Sequence, residues 1–284
     1  MASIAFEPSG RAADPRAVAA RAARRQIQAS RLARSRWTPL LLPAVLLLGW
    51  QAGSVTGVLP ATILPSPAAV LEAGWQLTRD GTLPVNLVIS AGRALAGLIV
   101  GGTLGLLLGI GTAVSAGLRR LLDPTIQAFR SVPPFALIPL IILWLGIDEG
   151  AKVVLIGWSV FFPLYINTFH GVVGVDRGLV EMGRVYGMGR SALFRRIILP
   201  GALPSILVGL RFALGLMWLA LIVAETIAAN SGVGYMANQA REFSQTDIIL
   251  LTVLVYGALG KLTDTATRAA ERRLLRWNPA YGRK

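Results

Sequence analysis

The chain has 284 residues, 54% hydrophobic and 15% charged, against about 25% charged in an average soluble domain, and that balance argues against a soluble enzyme. A formal net charge of +14 raises the possibility of nucleic-acid binding, but its meaning depends on where the basic residues fall. There is no cysteine, which excludes a disulfide framework and a thiolate metal site.

Taken in chain order, residues 1–36 are rich in Arg and Ala with few acids. They read as a solvated basic tail beside anionic lipid, with a transit peptide as the competing reading. A cleaved secretory signal is disfavoured because the basic region is long and Ala52-Gly53-Ser54 is a weak cleavage site.

Apolar runs follow at 40–59, 87–114, 135–147, 153–165, 206–229 and 248–262, most near the ~20 residues that span a bilayer core. They are continuously apolar, without the alternation of membrane strands, so an all-α fold with about six transmembrane helices is expected.

Eight arginines precede the first run. Arg119, Arg120 and Arg130 follow the second, Arg177, Arg184, Arg190, Arg195 and Arg196 follow the fourth, and five arginines and Lys284 close the chain. With six spans these segments share one side and hold 22 of the 28 basic residues. The positive-inside rule then places both termini in the cytoplasm of an inner-membrane protein, and the basicity reports topology, with no nucleic acid as partner. The division expected is a basic tail over 1–36, a first span and outer connection over 37–84, a transmembrane core over 85–270 containing a cytoplasmic loop at 175–200, and a basic tail over 271–284.

Gly101, Gly105 and Gly109 recur every four residues in the second run, which aligns three missing side chains on one helix face and predicts close helix packing. They do not form a phosphate loop, and the nearest approach to one, Gly257 with Gly260-Lys261-Leu262, lacks the spacing and the hydroxyl. ATP is therefore hydrolysed elsewhere. The chain shows no catalytic constellation or metal motif, its one histidine, His170, falls at a run end, and no cofactor is expected.

Pro133-Pro134 and Pro139 predict that 121–145 is a short helix, a break and a second helix, suited to a gate or simply tolerated within a bundle. Glu225 ends the apolar stretch 216–224, where an ionised group costs roughly 2.5–3.5 kcal/mol on insertion scales and so faces protein or water. Glu225, Thr226 and Asn230 are the candidates for the outer end of a translocation route, with an interfacial position for Glu225 as the alternative.

Between the fourth and fifth runs, Val180, Val185, Met188, Leu193 and Phe194 alternate with Arg184, Arg190, Arg195 and Arg196, punctuated by Gly187 and Pro200. Short amphipathic helices of this kind lie on a partner protein or on anionic lipid. The stretch Glu181-Met182-Gly183-Arg184-Val185-Tyr186-Gly187, followed by Ile197-Ile198-Leu199-Pro200, resembles the "EAA" loop of importer-type ABC permeases. Glu181, Gly187, Ile197, Leu199 and Pro200 match in register, while Met182 and Gly183 stand where that motif has two alanines.

The resemblance implies the type I importer permease fold. It also implies a coupling helix around Glu181, Met182, Gly183, Tyr186 and Gly187 seated on a separate ABC ATPase. The implied partners are ATPase subunits, a periplasmic substrate-binding protein and a second permease copy in the bilayer. Further stretches, including Leu143-Trp144-Leu145-Gly146-Ile147-Asp148-Glu149 and Ala224-Glu225-Thr226 through Gly232-Val233-Gly234-Tyr235, resemble the sulfonate, taurine and nitrate permeases. The ending Leu275-Arg276-Trp277-Asn278-Pro279 looks most like aliphatic-sulfonate permeases. Taurine or nitrate uptake is the first rival reading, and an ion-coupled secondary transporter, against which the loop argues, is the second.

Overall fold

In the computed structural model, which describes residues 38–278, every regular element among the described residues is a helix. The expectations placed on 1–36 and on the last six residues lie outside them. The chain divides into two compact units at Leu59/Pro60. The described part of the first is α1, Thr38–Val55, apolar around its whole circumference from Leu41 to Leu48.

The second unit opens with α2, Pro67–Arg79, started by the Ser66 hydroxyl accepting from Ala69 N and by Pro67 in the first turn. Helix α3, Thr82–Val114, runs 33 residues, about 50 Å at 1.5 Å per residue. Ser115 ends it and caps α4, Ala116–Arg130. Arg119 then folds back to donate to Thr112 O and Ala113 O, two of the otherwise unsatisfied carbonyls of α3, and lies 5.0 Å over the Phe169 ring.

The prolines act as the sequence predicts. Pro134 opens a single 3-10 turn, Pro134–Leu137, and Pro139 sits in the first turn of α5, Ile138–Leu145. The limbs Ala116–Arg130 and Pro134–Leu145 are bent by 88°. Helix α6 is Glu149–Val173. The loop beyond it holds α7, Arg177–Val185, and α8, Arg190–Leu193, which passes through a π turn, Phe194–Ile198, into α9, Leu199–Ala228. Helices α10, Val233–Glu242, and α11, Thr246–Leu274, complete the described chain.

Among the described residues four continuous helical segments, Thr82–Val114, Glu149–Val173, Arg190–Ile227 and Thr246–Leu274, are long and apolar enough to cross a membrane, five if the bent pair is one span, against the six expected; the run at 40–59 yields the shorter apolar helix Leu41–Val55. The span expected at 135–147 is thus only the second limb of a bent helix pair. The span expected at 153–165 is nearly twice that length, because Asn167, Thr168 and His170 continue the helix while lowering its hydropathy.

Helix α6 packs between α3 and α9. Lipid competes equally for apolar side chains, so close backbone approach must hold membrane helices together. A Cβ on Gly101 would come within 2.1 Å of Gly157 O, on Gly105 within 2.6 Å of Phe161 O, and on Gly109 within 2.8 Å of Tyr165 O. The interface continues through Ile156, Val160, Leu164, Met217 and Leu221, all buried.

Candidate functional site

The end of this unit where α6 begins carries a buried charge node. Arg93, eleven residues into α3, has a side chain 4% exposed and uses all five of its N–H donors. Nε and Nη2 form a fork onto the two Glu149 carboxylate oxygens, each at 2.6 Å. Nη2 also donates to Ser231 Oγ at 2.8 Å, and Nη1 donates to Glu225 Oε1 at 2.8 Å and to Ser231 O at 2.6 Å. Lys152 Nζ, itself 5% exposed, donates to Glu149 Oε1 at 2.9 Å.

Glu225 is 0% exposed and takes further hydrogen bonds from Ser90 Oγ at 2.8 Å, Gly234 N at 2.9 Å and Tyr256 OH at 3.0 Å. A buried carboxylate is tolerable only with this many donors, since an unpaired one would neutralise or unfold the site. The Ser90 hydroxyl in turn accepts from Val233 N, and Asn86 Oδ1 from Gly232 N. Gly232 has φ +105, and a Cβ there would meet Glu225 Oε1 at 2.3 Å. The run from Ser231 to Gly234 therefore folds its backbone directly around the carboxylate.

Of the three residues expected on a translocation route, the structure brings only Glu225 into this node. Thr226 is half-buried and donates to Val223 O of its own helix, and Asn230 is exposed at the bend. Arg93, Ser90, Lys152 and Tyr256 were not among the candidates. The available signal was an arginine and a glutamate in different apolar runs, which must find each other or water.

At the opposite ends of α6 and α9, the 177–198 loop presents Val185 and Tyr186 at 85% and 78% exposure, with Leu179 and Met182 about half exposed. Glu181 is exposed beside them. Gly183 is buried against the side-chain tips of Leu193 and Ile197, and a Cβ there would approach both to 2.7 Å, so an alanine would need those two tips to shift. Gly187 adopts φ +75, turning the chain between α7 and α8. Ile197, Leu199 and Pro200 are half-buried, and Pro200 lies in the first turn of α9. The loop residues thus share one surface, separated from Glu225 by the length of α9.

Membrane-length helices around a glycine-packed core, with a bent helix pair and an exposed amphipathic loop at one end, define a multi-pass helical membrane protein. The chain belongs to the family of binding-protein-dependent transport system inner membrane components, whose model matches residues 85–276. It is 55% identical over 246 residues, 87% of this chain and 94% of the relative, to the putative aliphatic sulfonates transport permease protein SsuC of Escherichia coli (strain K12). It is 45% identical over 242 residues to the protein of the same name from Bacillus subtilis (strain 168), covering 85% of this chain and 88% of that one. A crystal structure of an amino acid ABC transporter covers 70% of this chain and 96% of its own at a TM-score of 0.57 and 16% identity, a likeness of fold. The chain is accordingly a multi-pass inner-membrane permease subunit of an ABC importer, not an enzyme, and ATP hydrolysis belongs to separate ATPase subunits.

Proposed function

We propose that this permease imports aliphatic sulfonates, working as a pair of copies with two ATPase subunits on the 177–198 loop and a binding protein at the Glu149 end. The observation that carries the cargo is the 55% identity over 87% of the chain to a protein named for aliphatic sulfonates. The orientation follows from charge. Arg177, Arg184, Arg190, Arg195 and Arg196 in the loop and Arg268, Arg272, Arg273 and Arg276 near the end of the chain stand at one end. Glu72, Asp80, Asp148, Glu149, Glu242 and Asp247 stand in the opposite connections. The basic end is cytoplasmic in this reading, with both termini there.

The mechanical requirement is a rigid lever at a mobile interface. ATP can favour an outward-open over an inward-open state only through contacts that differ between the two. Helix α7 supplies apolar contact through Val185 and Tyr186, and the helical run from α8 through the π turn into α9 transmits its displacement along the length of the bundle. Glu225, Thr226 and Asn230 stand at the cargo-entry end in this reading, with Glu225 acting through Arg93.

The test is growth on ethanesulfonate as sole sulfur source in a strain lacking its own sulfonate permease, complemented with this chain and its ATPase and binding protein. Restored growth, with uptake competed by longer alkanesulfonates and not by nitrate, supports the reading. Growth restored on nitrate as nitrogen source but not on ethanesulfonate overturns it.

A further inference from the structure

The node around Arg93 contains an internal mismatch of exposure. The two cations, Arg93 and Lys152, have side chains 4% and 5% exposed, whereas the carboxylate they share, Glu149, is 61% exposed. Glu225 on the other edge of the guanidinium is 0% exposed and fixed from Ser90, Gly234 and Tyr256. One carboxylate is thus built into the protein. The other, the first residue of α6, rests at the mouth of the same site with most of its side chain in water.

We propose that Arg93, Lys152 and Ser231 form an oxyanion site for the cargo's sulfonate, and that Glu149 is an internal carboxylate which occupies this site in the resting state and is displaced by cargo. This rests on the reading that the cargo is a sulfonate. The donors match in number and kind. A sulfonate offers three oxygens, and the atoms now facing or adjoining Glu149 are the Arg93 fork through Nε and Nη2, the Lys152 ammonium at 2.9 Å, and the Ser231 hydroxyl held 2.8 Å from Nη2. Planar guanidinium forks and ammonium groups both bind tetrahedral oxyanions well.

Charge makes the step an exchange. With Glu149 in place the node holds two cations and two carboxylates and is neutral. Withdrawing Glu149 alone would leave a buried surplus of one positive charge, which is unfavourable unless another anion enters. Cargo arrival and release of the start of α6 are then one event, and α6 packs between α3 and α9. Cargo binding at one end thereby reaches α9, the helix that continues directly from the coupling loop. The site also has a consequence for affinity, since a ligand competing with an internal occupant has its apparent Kd raised by the reciprocal of the fraction of time the site is open.

The experiment measures equilibrium binding of ethanesulfonate to the purified permease–ATPase complex without binding protein, for the wild type, Glu149→Gln and Asp148→Asn. Glu149→Gln removes the competing charge, and its apparent Kd should fall about tenfold or more, the factor expected if the carboxylate fills the site over nine-tenths of the time. Asp148→Asn deletes the same charge one position away, on an exposed residue, and should change binding less than about twofold because solvent screens it. Adding Lys152→Gln or Ser231→Ala to Glu149→Gln should reverse most of the gain. Equal binding by Glu149→Gln and the wild type, or equal gains from Glu149→Gln and Asp148→Asn, overturns the exchange even where the wild-type complex imports sulfonates. A gain for inorganic sulfate in Glu149→Gln, in a complex that imports no sulfonate, supports the oxyanion site while overturning the cargo reading.

Discussion

Arg93 and Glu225 lie 132 positions apart in the chain, yet Arg93 Nη1 donates to Glu225 Oε1 at 2.8 Å with both side chains buried. The pair joins α3 to α9 and, through Ser231 and Gly234, fixes the turn into α10. Replacing Glu225 with Leu takes the buried carboxylate from Arg93 Nη1 and the acceptor from Ser90 Oγ, Gly234 N and Tyr256 OH, while the guanidinium keeps its fork onto Glu149, and breaking a buried pair costs about 3–5 kcal/mol. Tyr256→Phe removes one hydrogen bond to the same carboxylate and should cost only about 1–3 kcal/mol. Thermal unfolding of the detergent-solubilised chain should rank wild type above Tyr256→Phe above Glu225→Leu.

The glycine-lined contact between α3 and α6 predicts a second ranking. Gly101→Val would force its Cβ into Gly157 O, which lies 2.1 Å from that position, and must part the two helices. Gly92→Ala, on the same helix with nothing within 4 Å, should leave stability unchanged or raise it by about 0.5–1 kcal/mol through helix propensity. The same unfolding assay separates the two substitutions.

Docking of the ATPase on the loop predicts a different phenotype. Tyr186 is 78% exposed, so Tyr186→Ala should leave the melting temperature unchanged while ATPase co-purification falls. Gly187→Trp should act more strongly, because φ +75 costs an L residue about 1–2 kcal/mol and the indole would stand on the docking face. Full co-purification and transport in both variants would remove the docking role.

The orientation is testable because the chain has no cysteine of its own. Val185→Cys, in the loop, should react with an impermeant maleimide only after the cytoplasmic face is exposed, and Asp148→Cys should react from the periplasm in intact cells. Labelling of both from the same side would refute the proposed placement.

The helical class and the proline break were legible in the sequence because each is a local property, while the six spans expected exceed the four or five found among the described residues. Apolar runs declare spans, and Pro133, Pro134 and Pro139 remove donors and fix dihedrals where they stand. The loop was legible for the same reason, its motif residues lying within twenty positions. The charge node was not. Ser90, Arg93, Glu149, Lys152, Glu225, Ser231 and Tyr256 come from four separate stretches, and hydropathy counts Arg93 only as one charge in a run and Glu149 only as part of an acidic connection. What the pattern could not supply is that α3, α6 and α9 meet at one depth, a register set by Gly101, Gly105 and Gly109 against α6.

ATP-dependent uptake into proteoliposomes containing this permease, its ATPase and its binding protein tests the central claim most directly. The account predicts that radiolabelled ethanesulfonate accumulates only with ATP on the loop side and binding protein on the Glu149 side, and that Gly187→Trp abolishes accumulation. Accumulation that follows an imposed ion gradient and persists without ATPase or ATP would contradict it.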